Sequence, residues 1–326
     1  MVSKTKKKSA SLVLIIFTCI LTNCKKSPSS IHHTNDQMTT TSFTCSNENF
    51  TYARVDITYD SNIEMLTFNS LEDFFTVSDA LNSEYEAHND NFEELYSSYN
   101  ENQLDSLDSV VGFDEFLPYK NFEEKIPCYI SKRSELLSLE EEWLDTDFAS
   151  ADPDDFDFTI DEGENTLFNY QYRVKIDSSI YEMKEDGLFN IATNTYLKMS
   201  DGCLTVKRNF TEYEHSTNLL FRVKVAINTI GFRSSAKGKV VSFKKKNNKY
   251  KRSRQKLAIF VGGNIYDENC GDSFQFIERK PSPNGFKKRK QLKVVNRVWG
   301  QVWQSKDDEL SATYDINGGY SGTISL

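Results

Sequence analysis

The sequence predicts an α+β protein in which an acidic, mainly helical segment precedes a basic antiparallel β-sandwich-like domain. Three observations predict it. Apolar residues recur at helical spacing between residues 70 and 144, and they alternate with polar ones at period two from residue 219 onward. The charge also changes sign. Residues 25–206 hold 11 Lys and Arg against 38 Asp and Glu, a net of −27, and residues 207–326 hold 24 against 10, a net of +14. With +4 from residues 1–24 these give the −9 of the 326-residue chain. A hydrophobic fraction of 38%, with 13% aromatic residues, supplies real cores and argues against disorder.

The chain begins with Lys4, Lys6, Lys7 and Lys8, then a short apolar run from Ser11 to Leu21, closed by Leu21-Thr22-Asn23-Cys24. That order is expected of a bacterial export signal, residues 1–24, ending at a lipid-modified cysteine, Cys24. The run is about half of the ~20 apolar residues that cross a bilayer, so an anchor helix is the competing reading. Acyl chains on Cys24, palmitate among them, bring roughly 0.8 kcal/mol per buried CH₂. Lys25 and Lys26 after the cysteine point to the outer membrane. Residues 25–44 read as a tether rich in Ser, Thr and Asn, with His32 and His33 as polar filler.

Residues 45–191 form the expected acidic, mainly helical domain with a small β meander. Met65–Phe68 reads as a strand, and Ser70 as the cap of a helix with Asp73 at the reciprocal position. Leu71, Phe74, Phe75, Leu81 and Tyr85 follow helical spacing, Phe92, Leu95, Tyr96 and Tyr99 repeat it, and a further helix runs over Lys132–Leu144. The acidic stretch Asp145–Glu164 carries Phe156, Phe158 and Ile160 alternating with polar residues, a half-buried strand with a charged outer face. A calcium loop fails there, because Phe156 and Gly163 stand where oxygen ligands are required. Turns at Asp177-Ser178-Ser179 and Glu185-Asp186-Gly187 separate three short strands.

Residues 192–326 form the expected basic β domain. Phe221, Val223, Val225 and Ile227 alternate with Arg222, Lys224 and Ala226. Val240–Phe243 and Leu257–Tyr266 flank the basic loop Lys244–Lys256 as a long hairpin, Gln291–Gln304 is a strand, and Asn317-Gly318-Gly319 turns a terminal hairpin. Cys45, Cys128, Cys203 and Cys270 remain in the mature chain; a Cys203–Cys270 bridge is the favoured pairing, against free buried thiols.

The stretches Met65–Phe74, Ile176-Asp177-Ser178-Ser179-Ile180-Tyr181 and Arg297-Val298-Trp299-Gly300 resemble uncharacterised exported lipoproteins of Bacteroidota. The resemblance implies a cellular address and an overall plan, and it brings no functional residue with it.

Motifs for catalysis are missing. There is no H-E-x-x-H, no C-x-x-C, no phosphate-binding glycine loop and no Rossmann glycine pattern, so no catalytic residue, metal or cofactor is expected. Gly271-Asp272-Ser273 sits in no serine-protease context, and carboxylate pairs for glycoside hydrolysis are too numerous to single out. Two features remain. Trp299 and Trp303, four apart on a strand, share a face and either stack on sugar rings or pack the core. Lys244, Lys245, Lys246, Lys249, Lys251, Arg252, Arg254 and Lys256 form a candidate anion-binding cluster, with Lys287–Lys290 as a second. For an exported chain the expected partners are the membrane through the lipid anchor, and an anionic glycan, a lipid head group or another envelope protein, with no nucleic acid. For the charge split itself the favoured reading is that the two charged regions are solvated faces that attract one another within the molecule. The function expected is a non-enzymatic binding or structural module; the alternative is an envelope or glycan hydrolase.

Overall fold

A hairpin of β1 (Glu48–Tyr52) and β2 (Val55–Asp60) opens the fold of the computed structural model. Val55, Ile57 and Tyr59 are buried on one face of β2 at period two. The structure describes residues 45–197, 207–216, 218–230, 233–266, 274–277, 287–299 and 310–326, without the side chains of 207–216, Thr229, Tyr266, 274–277, Val298 and Trp299. All belong to one compact unit, Thr44–Leu326. The hairpin continues into β3 (Met65–Phe68), β4 (Arg173–Ile176), β5 (Ser179–Lys184), β6 (Gly187–Asn190) and β7 (Thr195–Tyr196), a seven-stranded sheet in chain order. Only β3 and β4 pair in parallel. Parallel neighbours need a long crossover, and all the α-helices of the described residues lie in it: α1 (Leu71–Leu95), α2 (Glu101–Val111), α3 (Leu117–Glu123), α4 (Lys132–Asp145) and α5 (Glu162–Leu167).

The helix signals are where the residues put them. The Ser70 hydroxyl accepts from the Asp73 amide at 3.1 Å, and Phe74, Phe75, Leu81, Tyr85 and Phe92 line the buried face. What read as two helical stretches is one helix of 25 residues. The segment holds more helix than strand, with β1 and β2 added ahead of the strand read at Met65–Phe68. One expectation for 45–191 is corrected. The acidic stretch holds no strand: Pro153–Phe156 is a 3-10 turn and Glu162–Leu167 is α5. Its burial departs from the expectation, with Ile160 buried but Phe156 40% exposed, while Asp157 and Asp161 are 5% and 0% exposed. Cations beneath those carboxylates are the reason.

The second half is a sandwich of two five-stranded sheets. One comprises β8 (Lys207–Ser216), β9 (Leu219–Ile230), β10 (Arg233–Lys246) and β11 (Lys249–Arg252), with β15 (Gln291–Trp299) also paired to β10. The other comprises β12 (Gln255–Tyr266), β13 (Phe274–Ile277), β16 (Leu310–Ile316) and β17 (Tyr320–Ser325), with β14 (Lys287–Arg289) paired to β12. Val223, Val225, Ile227 and Val240 meet Leu257, Ile259, Val261 and Tyr314 in the core between them. The sheets approach so closely at Gly238 that a Cβ there would stand 2.5 Å from Val261 Cγ2. The strands Val240–Phe243 and Leu257–Tyr266, expected to pair across the basic loop, lie in different sheets. The loop is itself a tight hairpin: Lys246 and Lys249 are in register, and Asn247 and Asn248 take φ of 53° and 62°, as a two-residue hairpin turn requires.

A disulfide joins Cys45 to Cys128 across 83 residues of sequence. Cys203 and Cys270, expected as a pair, lie outside the described residues, as do Cys24, the tether and Gly271-Asp272-Ser273. Among the described residues no helix is long and apolar enough to cross a membrane.

Candidate functional site

The face of β9, β10 and β15 that turns away from the sandwich core is built of cations. Lys224, Lys239 and Lys293 stand in register on three adjacent strands, with neighbouring strands about 4.8 Å apart. Like charges directly opposite one another destabilise a sheet, so this row requires anions. The turn Pro153–Phe156, its flanks and α5 supply them. Lys224 pairs with Asp154 and with Asp157, the latter at 3.0 Å. Lys239 meets Glu162 at 2.5 Å, and Lys293 meets Asp161 and Glu162 at 3.4 Å each. Lys237, fully buried, donates to Glu164 at 2.9 Å and to the Thr159 carbonyl at 3.0 Å. Gly163 lets α5 press onto α1, since a Cβ there would lie 2.6 Å from the Ser78 carbonyl oxygen.

The electrostatics follow from burial against pairing. Burial drives the Asp161 carboxyl upward, but Lys293 and Lys237 outweigh it and hold its pKa at about 2. Glu162 is likewise raised by burial and brought down to about 2 by Lys239 and Lys293. Glu164 is left above the usual carboxylate range, because burial exceeds what Lys237 returns.

Arginines extend the layer, and Arg222, Arg233 and Arg254 each rest on an aromatic ring as well as a carboxylate. Arg222 pairs with Asp152 and Asp154 and lies 4.5 Å from the Trp143 ring centre. Arg233 pairs with Asp79 over Phe75. Arg254 pairs with Asp108 between Phe92 and Phe113. Arg289 meets Glu86, Asp90 and Glu93 of α1, three carboxylates at helical spacing. Arg297 reaches Asp79 and Asp161.

The basic loop is absorbed into the same arrangement. Lys244 donates to Asn102 at 2.9 Å, Lys246 pairs with Asp105 at 3.0 Å, Lys249 with Asp145 at 2.8 Å, and Lys245 approaches Asp147 at 3.9 Å. Arg252 grips Glu140 through two bonds of 2.6 and 3.0 Å. Arg252 and Arg254 are therefore internal pairs rather than an outward anion site. Lys251 and Lys256 meet no carboxylate among the described residues. The second cluster behaves alike: Lys287 pairs with Asp90, Lys288 donates to the Tyr99 carbonyl, and Lys290 pairs with Asp108.

At the edge of this layer a pocket of about 580 Å³ opens between α4, residues 113–116 and β11. Phe116, Leu137, Leu144 and Tyr250 form an apolar wall, and Glu115, Glu140 and Arg252 line its polar side. Burial pushes Glu115 above the usual carboxylate range. Burial pushes Glu140 the same way, but Arg252 overcomes it and holds that carboxyl low. The Glu140–Arg252 pair also lines an inner polar cavity of about 40 Å³, large enough for water.

Of the residues singled out by sequence, Lys251, Arg252 and Lys290 meet in this pocket, beside Tyr250. Trp299 ends β15 with its Cα paired to Arg233, and Trp303 lies outside the described residues. The acidic partners were missed. Asp79, Glu86, Asp90 and Glu93 recur at helical spacing along α1, and reading that stripe beside the apolar one would have located the contact face. Among the described residues no group of three or more His, Cys, Asp or Glu side chains could hold a metal.

No protein-family model and no curated protein matches the chain. A solved structure of a DUF4848 family protein from Bacteroides thetaiotaomicron aligns with 83% of this chain and 100% of that one, at 11% identity and a TM-score of 0.18. It is a distant neighbour, and at that score it fixes neither fold nor activity here.

Proposed function

We propose that this is a lipid-anchored protein of the bacterial outer membrane, a non-enzymatic binding module whose ligand is a carbohydrate without strong charge. The single observation behind the ligand class is that the basic region is already neutralised from within: Lys246, Lys249, Arg252 and Arg254 each have a carboxylate of the same chain. A polyanion would have to displace those carboxylates. A sugar needs an apolar wall with donors and acceptors beside it, and the pocket at the hairpin has Phe116 and Tyr250 beside Glu115 and Arg252. The anchor rests on the sequence of residues 1–24, and Cys24→Ser is expected to move the chain out of the membrane fraction.

The test of the ligand is retardation of the intact chain in gels containing neutral or acidic polysaccharide, at low and high salt. Retention by neutral polysaccharide that survives salt, is lost when Leu137→Trp fills the pocket, and persists when Lys244, Lys245 and Lys246 are all changed to Ala supports the reading. Retention only by acidic polysaccharide, abolished by salt, overturns it. One observation favours hydrolysis as a second reading: Glu115 and Glu140 flank Arg252 in one pocket with pKa values displaced in opposite directions. Release of reducing sugar during the same incubation would select it.

A further inference from the structure

A second surface pocket, of about 340 Å³, lies away from the hairpin, on the seven-stranded sheet beside residues 170–172. Its size falls in the usual range for small-ligand sites. We propose that it is a carbohydrate-stacking shelf for an uncharged sugar ring, centred on Tyr170. Three features of the shelf carry the proposal.

The first is an aromatic ring presented to solvent and held still. Tyr170 is 37% exposed. Its hydroxyl lies 3.4 Å from Glu64 Oε2 and accepts from Gln171 Nε2 at 3.3 Å, while Gln171 Oε1 accepts from Arg173 at 3.2 Å. Its amide donates to the Ile130 carbonyl at 2.9 Å. A ring fixed at its polar end loses little freedom when a sugar's C–H face settles on it. Phe158 lines the same pocket and is backed by Tyr172, the two rings nearly parallel with centres 5.3 Å apart.

The second is backbone strain in the loop that carries the ring. Tyr172 takes φ of 63°, a left-handed conformation that is strained for an aromatic residue. It is over-determined: its amide donates to the Asn169 carbonyl, its carbonyl accepts from Met183, and its hydroxyl donates to Asn165 while accepting from Phe158. The Asn169 side chain accepts from the amides of Gln171 and Arg173 at 3.1 and 2.9 Å. Strain held this firmly fixes where Tyr170 and Gln171 stand.

The third is a rim of balanced charge. Glu182 is bonded by Arg173 at 2.9 Å and faced by Lys184 at 3.9 Å. Lys184 also lies 3.7 Å from the Phe189 ring centre. Such a rim offers donors and acceptors to hydroxyl groups and no net attraction for an ion.

The shelf is independent of the hairpin pocket, and one set of gels separates them. With neutral glucan, xylan and mannan as probes, Tyr170→Ala is expected to weaken retention of the intact chain roughly fivefold to tenfold. Tyr170→Phe, which keeps the ring, should stay within roughly twofold of the parent, and Gln171→Ala should fall between. Melting temperatures matching the parent show that the fold is intact in each variant. Equal retention of Tyr170→Ala and parent overturns the shelf, and loss on Leu137→Trp alone then upholds the hairpin pocket. Loss on Tyr170→Ala with Leu137→Trp unaffected upholds the shelf and overturns the pocket. No retention of the parent by any of the probes overturns both.

Discussion

Replacing Lys237 by Met removes one cation from the centre of the ionic layer and leaves its carboxylates in place. Lys237 is fully buried, Glu164 is 2% exposed at 2.9 Å, and Asp161 is fully buried at 3.9 Å. Breaking a buried pair by removing one partner costs about 3–5 kcal/mol, because the remaining charge is left under-compensated away from water; Asp161 keeps Lys293 and Arg297, and Glu164 keeps Arg297 at 3.8 Å, which sets the cost at the lower end. That is a large share of the roughly 5–15 kcal/mol that keeps a domain folded, and on this size of chain it lowers the melting temperature by on the order of 10 °C. The double change Lys237→Met with Glu164→Leu is expected to recover most of the loss, since a paired charge replaced by apolar volume is close to neutral. Urea unfolding followed by circular dichroism, over the full double-mutant cycle, measures both. A cost below about 1 kcal/mol for Lys237→Met, the value of an exposed pair, would refute the reasoning and mean that water reaches the layer.

Acid is expected to act on the same layer. The folded pKa of Asp161 and of Glu162 is about 2, below the unfolded values of about 4, so their contribution is present above about pH 5 and lost as pH falls through 4 toward 2, on the order of 2–3 kcal/mol each. Glu93, Glu115 and Glu164 are shifted upward and work the other way, their contribution fading as pH rises through their folded values. The urea midpoint should therefore fall steeply only below about pH 4; a flat profile down to pH 3 would contradict it. Opening the Cys45–Cys128 bridge by a Cys128→Ser, Cys45→Ser double change frees a loop spanning 83 residues and is expected to cost about 4 kcal/mol by chain entropy, read from the same midpoint; an unchanged midpoint would mean that the unfolded chain is held together by other means.

The parts of the fold that were legible are those whose signal is local. Ser70 and the apolar positions of α1 declare a helix, and the alternation in β9 and the Asn317-Gly318-Gly319 turn declare strands and a hairpin, because caps, periodicity and turn residues act over a few positions. The disulfide was not legible, since four cysteines admit three pairings and only the approach of Cys45 to Cys128 chooses among them. The polar contact face was legible only in outline, as an attraction between the two charged regions, for a different reason. Alternation in β9 and β10 says that Arg222, Lys224, Lys237 and Lys239 share a face opposite the core, and at that level a face of cations means solvent. Those side chains are 1%, 5%, 0% and 6% exposed. Their partners lie some 70 residues away in sequence, in a stretch whose phenylalanines suggested a strand. A buried carboxylate and a solvated one are the same letter, and what distinguishes them is whether a cation stands opposite. Here the acids at helical spacing on α1 meet Arg233, Lys287, Arg289 and Arg297, while Lys237 and Lys239 of β10 meet Glu164 and Glu162 of α5. The net charges of −27 and +14 are thus, in large part, two halves of one internal contact.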